Sequence, residues 1–157
     1  MNIDWKKLIA AIFICQGTGL LAGLATASSV NTWYDTLTKP GFTPPGWLFS
    51  PVWITLYFLM GIAAYLVWRK GINTPGVKKA LVIFLFQLLF NGLWSLFFFG
   101  LQLPLLGVVD IIVLIIFLVL TIIYFYRISK WAAYLLLPYL IWVLYATALN
   151  IAIVVLN

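Results

Sequence analysis

The amino-acid sequence predicts an integral membrane protein, an all-α bundle of five transmembrane helices. Of its 157 residues 66% are hydrophobic and only 8% are charged, the apolar residues form five continuous runs, and basic residues cluster at alternate gaps between the runs. A soluble domain has roughly 25% charged and about 45–50% apolar residues. This chain therefore has too few polar side chains to cover a surface exposed to water.

Each apolar run is long enough to cross the hydrocarbon core of a bilayer, which takes about 20 helical residues. The runs do not alternate with a period of two, so helices are favoured over a β-barrel. Lys6 and Lys7 precede the first run, but it is too long for the core of a signal peptide and is expected to be retained. The predicted helices cover residues 8–29, 47–68, 80–99, 105–126 and 131–156 of one domain, 1–157.

The distribution of basic residues predicts the orientation. Eight of them lie on the side shared by the N-terminus and the second and fourth connections, and only Lys39 lies on the other side. The positive-inside rule then places the N-terminus in the cytoplasm and the C-terminus outside. Because topology explains the +6 charge, nucleic-acid binding is not expected. The eight are Lys6, Lys7, Arg69, Lys70, Lys78, Lys79, Arg127 and Lys130.

The residue types that are missing exclude much chemistry. The chain has no histidine, no glutamate and a single cysteine, Cys15. An internal disulfide, a histidine- or cysteine-based metal site, a Ser-His-Asp triad and paired-glutamate catalysis are therefore excluded. We expect no metal site.

The first connection is the most unusual segment. Residues 33–53 hold three of the eight tryptophans and four of the seven prolines, with only Asp35 and Lys39 charged. Proline stiffens the backbone, and rigid aromatic side chains supply contact area at low entropic cost. We expect residues 30–46 to form a lid over a binding site. The segment from Trp47 to Trp53 would begin the second helix and enter the pocket wall.

Polar groups inside the membrane are costly and point to function. At about 1.5 Å per residue, Asn91, Asp110 and Asn150 lie roughly 8–12 Å below the outer ends of their helices. Trp53 lies at a similar depth, Tyr57 deeper and Trp142 deeper still, and small Ala146 leaves room beside them. These groups predict a pocket in the outer half of the bundle.

Several of these residues also have a purely structural interpretation. Gln87, Ser95 and Thr147 could equally join helices by hydrogen bonds. Asp110 needs a donor or a wet cavity, so it either pairs with Asn, Tyr or backbone N–H groups or contacts a ligand.

Two further features bear on packing alone. Gly19 and Gly23 fit a small-xxx-small pattern, which serves packing within the bundle or a dimer seam, and Pro138 should kink the last helix or free a carbonyl.

The motifs WYDTLTKPGFTPPGWLFSPVWITLYFLMGIA, Gln87-xxx-Asn91-xx-Trp94-Ser95, Asp110 and Pro138-Tyr139-xx-Trp142-xx-Tyr145-Ala146-xx-Leu149-Asn150 cover nearly the whole chain. They resemble the translocator protein (TspO/MBR) family, also named tryptophan-rich sensory protein or peripheral-type benzodiazepine receptor. The resemblance implies a bacterial-type member in the cell membrane, often homodimeric, with a pocket under the first loop. It also implies porphyrins such as protoporphyrin IX and isoquinoline or benzodiazepine-type molecules as ligands, with no obligatory cofactor.

By motif match the resemblance assigns the pocket lining, and two tryptophans, Trp53 and Trp142, become candidates for photochemical catalysis. The implied lining is Tyr34, Pro44, Trp53, Tyr57, Asn91, Trp94, Trp142, Ala146 and Leu149, with Asp110, Gln87 and Asn150 as polar support. Residues 148–156 contain neither the aromatic nor the basic residue of the cholesterol-recognition pattern, so the sequence gives no support for steroid transport. Without histidine, iron-ligated haem is not expected either.

Three functions remain open at this stage. The first is a membrane receptor or sensor that binds porphyrins. The second is light-dependent porphyrin breakdown that uses the pocket tryptophans. The third is a porphyrin or lipid transporter, although the chain shows no internal repeat of the kind that many transporters have.

Overall fold

Five long helices run through the computed structural model, which describes residues 2–157. Their spans of 23 to 27 residues are long and apolar enough to cross a membrane, which confirms the predicted fold class. The helices are α1 (Trp5–Ala27), α2 (Trp33–Thr36), α3 (Gly46–Trp68), α4 (Val77–Ser95), α5 (Pro104–Ile128), α6 (Lys130–Leu135) and α7 (Leu137–Leu156). The third span is α4 with a π-helical turn, Leu96–Gly100, and the fifth is α6 followed by α7.

The helices differ from the predicted ranges by up to three residues, because charged residues lower the hydropathy without ending a helix. α1 begins at Trp5, ahead of the two lysines, since Asp4 caps it by accepting the Lys7 backbone N–H at 3.2 Å. α4 likewise begins at Val77, directly after Gly76, whose φ of +86° suits glycine.

Neighbouring helices form a ring in the order α1, α3, the α6–α7 span, α5 and α4. The fifth span approaches α3 closely through α6 but not through α7. The backbones of α3 and α7 thus separate in the half of the bundle near the first connection. Large side chains fill the space between them.

Two irregular turns shape this half of the bundle. The π-helical turn that ends the third span carries Phe98 and Phe99, consecutive residues that are both buried. A π turn widens the helix by one residue per turn, and such turns are frequent at functional sites. In the fifth span the helix is interrupted at Leu136, as Pro138 predicts, and Leu136 donates its N–H to Ala133 instead of continuing the α-helical pattern.

Glycines allow two close approaches between α1 and α3. A Cβ at Gly61 would lie 2.7 Å from the Ile12 Cα, and one at Gly19 would lie 2.6 Å from the Tyr57 ring. Gly23, in contrast, faces open space. The two glycines of the small-xxx-small pattern therefore have different surroundings. Gly19 serves packing within the bundle, whereas Gly23 lies on its outside.

We predict that Gly61→Ala lowers the stability by about 1–3 kcal/mol, because the new methyl group meets the backbone of α1. The matched control is Gly23→Ala, which has no atom within 4 Å. It should leave stability unchanged or raise it by up to about 1 kcal/mol, since alanine is the better helix former. Thermal unfolding in detergent measures both, and equal losses in the two variants would contradict the close approach.

Candidate functional site

An aromatic cluster fills the space between α3 and α7. Trp53 on α3 lies edge-to-face against Trp142 on α7, with ring centres 6.5 Å apart and planes at 88°. Trp53 also contacts Tyr57 at 5.6 Å and Tyr139 at 6.3 Å, and Phe49 contacts Trp142 at 6.0 Å. These separations are typical of favourable aromatic pairs. Contacts between these rings join this part of the two helices.

A chain of buried hydrogen bonds lies beside the cluster and joins α3, α4 and α7. The Tyr57 hydroxyl donates to Asn91 Oδ1, Asn91 Nδ2 donates to the Tyr139 hydroxyl at 2.7 Å, and that hydroxyl donates to Gln87 Oε1 at 2.9 Å. Gln87 Nε2 ends the chain on the Met60 sulfur at 3.9 Å. All five residues are buried. The bonds satisfy polar groups that would be costly in a dry interior, so they fix the orientation of Tyr57 in the cluster.

A second cluster lies at the end of the bundle where the π turn occurs. Trp94 donates its indole N–H to Asn150 Oδ1 at 3.0 Å, and Asn150 Nδ2 donates to the Pro104 carbonyl at 2.9 Å. The Trp94 ring stacks on Phe98 at 5.2 Å. A Cβ on Gly107 would meet Asn150 at 2.9 Å, so glycine lets α5 come this close. The hydrogen bonds join the third, fourth and fifth spans.

The first connection covers these clusters. Trp33 and Tyr34, on the short helix α2, pack against Phe98 at 5.8 and 6.1 Å. Further along, the Phe42 carbonyl accepts a hydrogen bond from the Tyr145 hydroxyl. Thr38 exchanges two backbone-to-side-chain hydrogen bonds, both 2.9 Å long, with Asn157 at the end of α7. The connection is thus fastened to both the third and the fifth spans.

Tyr34 stays neutral at physiological pH. Burial raises the pKa of its hydroxyl, and the neighbouring Asp35 carboxylate raises it further. The Lys39 ammonium lies 4.6 Å from the centre of the Tyr34 ring, at a distance suited to a cation–π contact. The uncharged phenol can therefore pack on apolar rings.

Comparison with known proteins identifies the family. Residues 11–156 match the model of the TspO/MBR family. The chain belongs to the TspO/MBR family. It is 52% identical over 157 residues to a tryptophan-rich protein TspO from Archaeoglobus fulgidus, covering 100% of this chain and 99% of that protein. It is 36% identical to a tryptophan-rich sensory protein from Cereibacter sphaeroides, covering 100% and 95% of the two chains. A human translocator protein is 39% identical over 119 residues, covering 75% and 70%.

With five apolar spans, this TspO/MBR member is an integral, multi-pass membrane protein. Its structure divides the residues expected at the site between the two clusters. Trp53, Tyr57, Asn91 and Trp142 belong to the α3–α7 cluster with its hydrogen bonds, and Gln87 supports them. Tyr34, Trp94, Leu149 and Asn150 belong to the cluster under the first connection. Ala146 is half-buried against the main core, and Pro44 lies half-buried two residues before α3.

The structure bears on three further residues from the sequence analysis. Asp110 is 4% exposed, and neither of its carboxylate oxygens has a hydrogen-bond partner within residues 2–157, so the pairing is not made and the alternative, ligand contact, stays a prediction. Thr147 donates to the Val143 carbonyl of its own helix and joins no other helix. Trp47 is 74% exposed at the start of α3 and makes none of the ring contacts of the α3–α7 cluster, because it lies about 120° around the helix from Trp53.

Sequence reasoning also missed two members of the α3–α7 cluster. Tyr139 links the hydrogen-bond chain to the Trp53 ring, and Phe49 packs on Trp142. Helical spacing could have found both, since Tyr139 lies three residues before Trp142 and Phe49 lies four before Trp53.

The side chains of the two clusters occupy the space between the helices that carry them. Two open grooves, of about 380 and 440 Å³, lie elsewhere on the surface, one lined by α3 with Pro138 and one at the start of α5. Neither groove is lined by a residue that the motif match assigns to the pocket, although Trp47, Pro51 and Val52, from the segment expected to enter the pocket wall, line the first. The indole N–H of Trp142 is buried and has no acceptor within the described residues. A buried donor of this kind can bind an acceptor on a ligand.

We predict that Asp110→Asn leaves the stability unchanged or raises it by about 1 kcal/mol, because it removes a buried ionisable group that has no partner. Tyr139→Phe is the contrasting variant. It should cost about 1–3 kcal/mol, since Asn91 Nδ2 and Gln87 Oε1 both lose their partner. Thermal unfolding in detergent compares them, and an equal loss for Asp110→Asn would show that the carboxyl group has a stabilising partner.

Proposed function

We propose that this TspO/MBR member is a membrane receptor or sensor that binds porphyrins, protoporphyrin IX above all, and related hydrophobic aromatic molecules. The observation that carries the proposal is the separation of the α3 and α7 backbones, which the rings of Trp53, Trp142 and their aromatic neighbours bridge. Flat aromatic ligands stack on such rings. The names of the relatives, sensory and translocator protein, point the same way.

Binding would separate the rings of Trp53 and Trp142 and place the planar ligand between them. The buried hydrogen bonds of Tyr57 hold one wall of the site in place, so only side chains in the gap need to move. The free indole N–H of Trp142 would donate to an acceptor on the ligand. Isoquinoline and benzodiazepine-type molecules carry both the flat rings and such acceptors.

The first connection would act as the lid. Its contacts to the rest of the bundle are a few side-chain hydrogen bonds and aromatic pairs, which can open without disturbing a membrane span. Opening between Phe42 and Tyr145 would give access to Trp142, whose ring lies 5.5 Å from that of Tyr145. The ligand's carboxylates would then remain near the outer surface.

Binding in this form requires no obligatory cofactor. Porphyrin is the ligand, and its iron complex is not expected to be bound through the metal, because the chain has no histidine. Stacking and hydrogen bonding are available instead, and they suit a metal-free ring.

We place the protein in a bacterial cell membrane with the N-terminus in the cytoplasm. Eight basic residues lie at the end of the bundle that carries the N-terminus, against Lys39 at the other end. The lid would then face outward. A homodimer completes the proposal, with Gly23 available on the outer face of α1 for close helix approach.

Light-dependent breakdown of the bound porphyrin is the second candidate function. The edge-to-face contact of Trp53 and Trp142 favours it, because two oxidisable indoles would lie against the same ligand. In this case the protein would degrade the porphyrin as well as sense it.

We predict that protoporphyrin IX quenches the tryptophan fluorescence of the purified protein, and that Trp142→Ala or Tyr57→Ala raises the Kd by about tenfold through loss of aromatic contacts. Porphyrin absorbance gives a second readout that does not depend on the number of tryptophans. Trp131→Phe is the control, since Trp131 is 73% exposed at the far end of the bundle. Absence of quenching in the folded protein would refute the binding proposal.

For the second function we predict that Trp53→Phe together with Trp142→Phe slows the loss of porphyrin absorbance under illumination by about tenfold, a barrier increase of ~1.4 kcal/mol. The rates are compared with the porphyrin site saturated, so that weaker binding does not enter. Trp131→Phe again serves as the control. Breakdown that continues at the original rate in the double variant would remove both tryptophans from the chemistry.

A further inference from the structure

Two basic residues share one aromatic ring at the end of the bundle that carries the N-terminus. The Lys79 ammonium lies 5.0 Å from the centre of the Tyr124 ring, and the Arg127 guanidinium lies 5.5 Å from the same centre. Lys79 is in the first turn of α4, whereas Tyr124 and Arg127 are in the last two turns of α5. The ring thus brings together two like charges from adjacent helices.

No acidic side chain compensates this pair. The chain has three acidic residues in all. Asp4 pairs with Lys7 at 3.6 Å, Asp35 lies on α2 at the opposite end of the bundle, and Asp110 is buried six residues into α5, near its start. Among the described residues, every other basic side chain in contact with a ring has that ring to itself. Two positive charges held together without a counter-charge favour an anion.

An apolar strip continues from the cation pair along the seam between α4 and α5. About two and three helical turns further along α4, Phe86 stacks on Phe117 of α5 at 5.3 Å, and Phe90 stacks on Phe117 at 5.6 Å. Phe86 is 45% exposed on the outside of the bundle, where the lipid lies. Beneath the surface, Phe84 and Phe125 stack at 5.6 Å and are buried, so the seam is firmly packed.

We propose that Lys79 and Arg127 bind the phosphate of an anionic phospholipid, one of whose acyl chains lies along exposed Phe86 and half-buried Phe117. The arrangement has both parts that such a lipid requires, a pair of cations at the level of the headgroups and an apolar surface roughly 10 Å further along the same two helices. Basic pockets between transmembrane helices bind anionic headgroups in this way. Tyr124 holds the two cations in place.

A soluble phosphate would contact the two cations but not the apolar strip. The pair is open to water, because both Lys79 and Arg127 are exposed, and a free anion bound there would be weakly held. The apolar strip adds contacts that only a molecule with an acyl chain can make. The site lies on the outside of the bundle and at the other end from the α3–α7 cluster, so it is independent of the proposed porphyrin site.

The test measures how strongly the full-length protein prefers phosphatidylglycerol to phosphatidylcholine. Spin-labelled forms of the two lipids are added to the protein in bilayer nanodiscs, and the motionally restricted fraction of each gives their relative affinity. Lys79→Gln and Arg127→Gln should each lower the preference by roughly fivefold. In the double variant the preference for phosphatidylglycerol should fall by less than the product of the two single-variant factors, because both cations act on one phosphate.

The matched control is Lys6→Gln with Lys70→Gln, which removes the same charge from the same end of the bundle without touching the pair. It should keep the preference, and Lys79→Arg should restore what Lys79→Gln loses. Tyr124→Leu should weaken the preference, since Tyr124 contacts both cations.

Two results would overturn the proposal. An equal loss in the Lys6 and Lys70 control would mean that the membrane responds only to total charge. Complete displacement of labelled phosphatidylglycerol by an excess of inorganic phosphate, with no effect of Phe86→Ser on the preference, would mean that the pair is a site for soluble anions. All variants are compared at equal thermal stability in detergent, which separates lipid preference from loss of fold.

Discussion

The buried hydrogen bonds from Tyr57 through Asn91 and Tyr139 to Gln87 are the interaction on which the rest of the structure depends. A bilayer offers no water to satisfy polar side chains, so each of these groups must find a partner within the protein. These hydrogen bonds join residues of α3, α4 and α7, so they hold three spans together at one place. Trp53, which packs on both tyrosines, takes its position from the same bonds.

Two buried groups lie outside this network and have no hydrogen-bond partner within the described residues. They are the carboxyl of Asp110 and the indole N–H of Trp142. The Trp142 donor lies in the gap between α3 and α7, next to the rings that we propose a porphyrin would separate. The division of roles is physical. Hydrogen bonds hold the walls, while aromatic contacts, which are weaker and less directional, fill the space that a ligand would occupy. The lipid site proposed at Tyr124 uses the opposite end of the bundle and a different physical basis, charge at the membrane surface.

Particular residues show how far sequence could predict the site. Asn91 and Trp53 were expected in the outer half of the bundle because of their depth and helical face, and the structure places them side by side through Tyr57. Asp110 was expected either to pair or to contact a ligand, and it has no partner within the described residues, since depth says nothing about which donors lie opposite. Tyr139 was overlooked although it links the network to Trp53, because its hydroxyl gains meaning only from Asn91, 48 residues away in the chain.

The sequence by itself determined the class of protein, the five spans and the break before Pro138, because these follow from local composition and backbone chemistry. It also predicted that the first connection would be a cover, through its prolines and aromatic residues. Only the tertiary structure decided that α3 and α7 separate, that a π turn buries Phe98 and Phe99 together, and that Trp47 faces outward. Such features depend on contacts between side chains far apart in the chain, which no local pattern encodes.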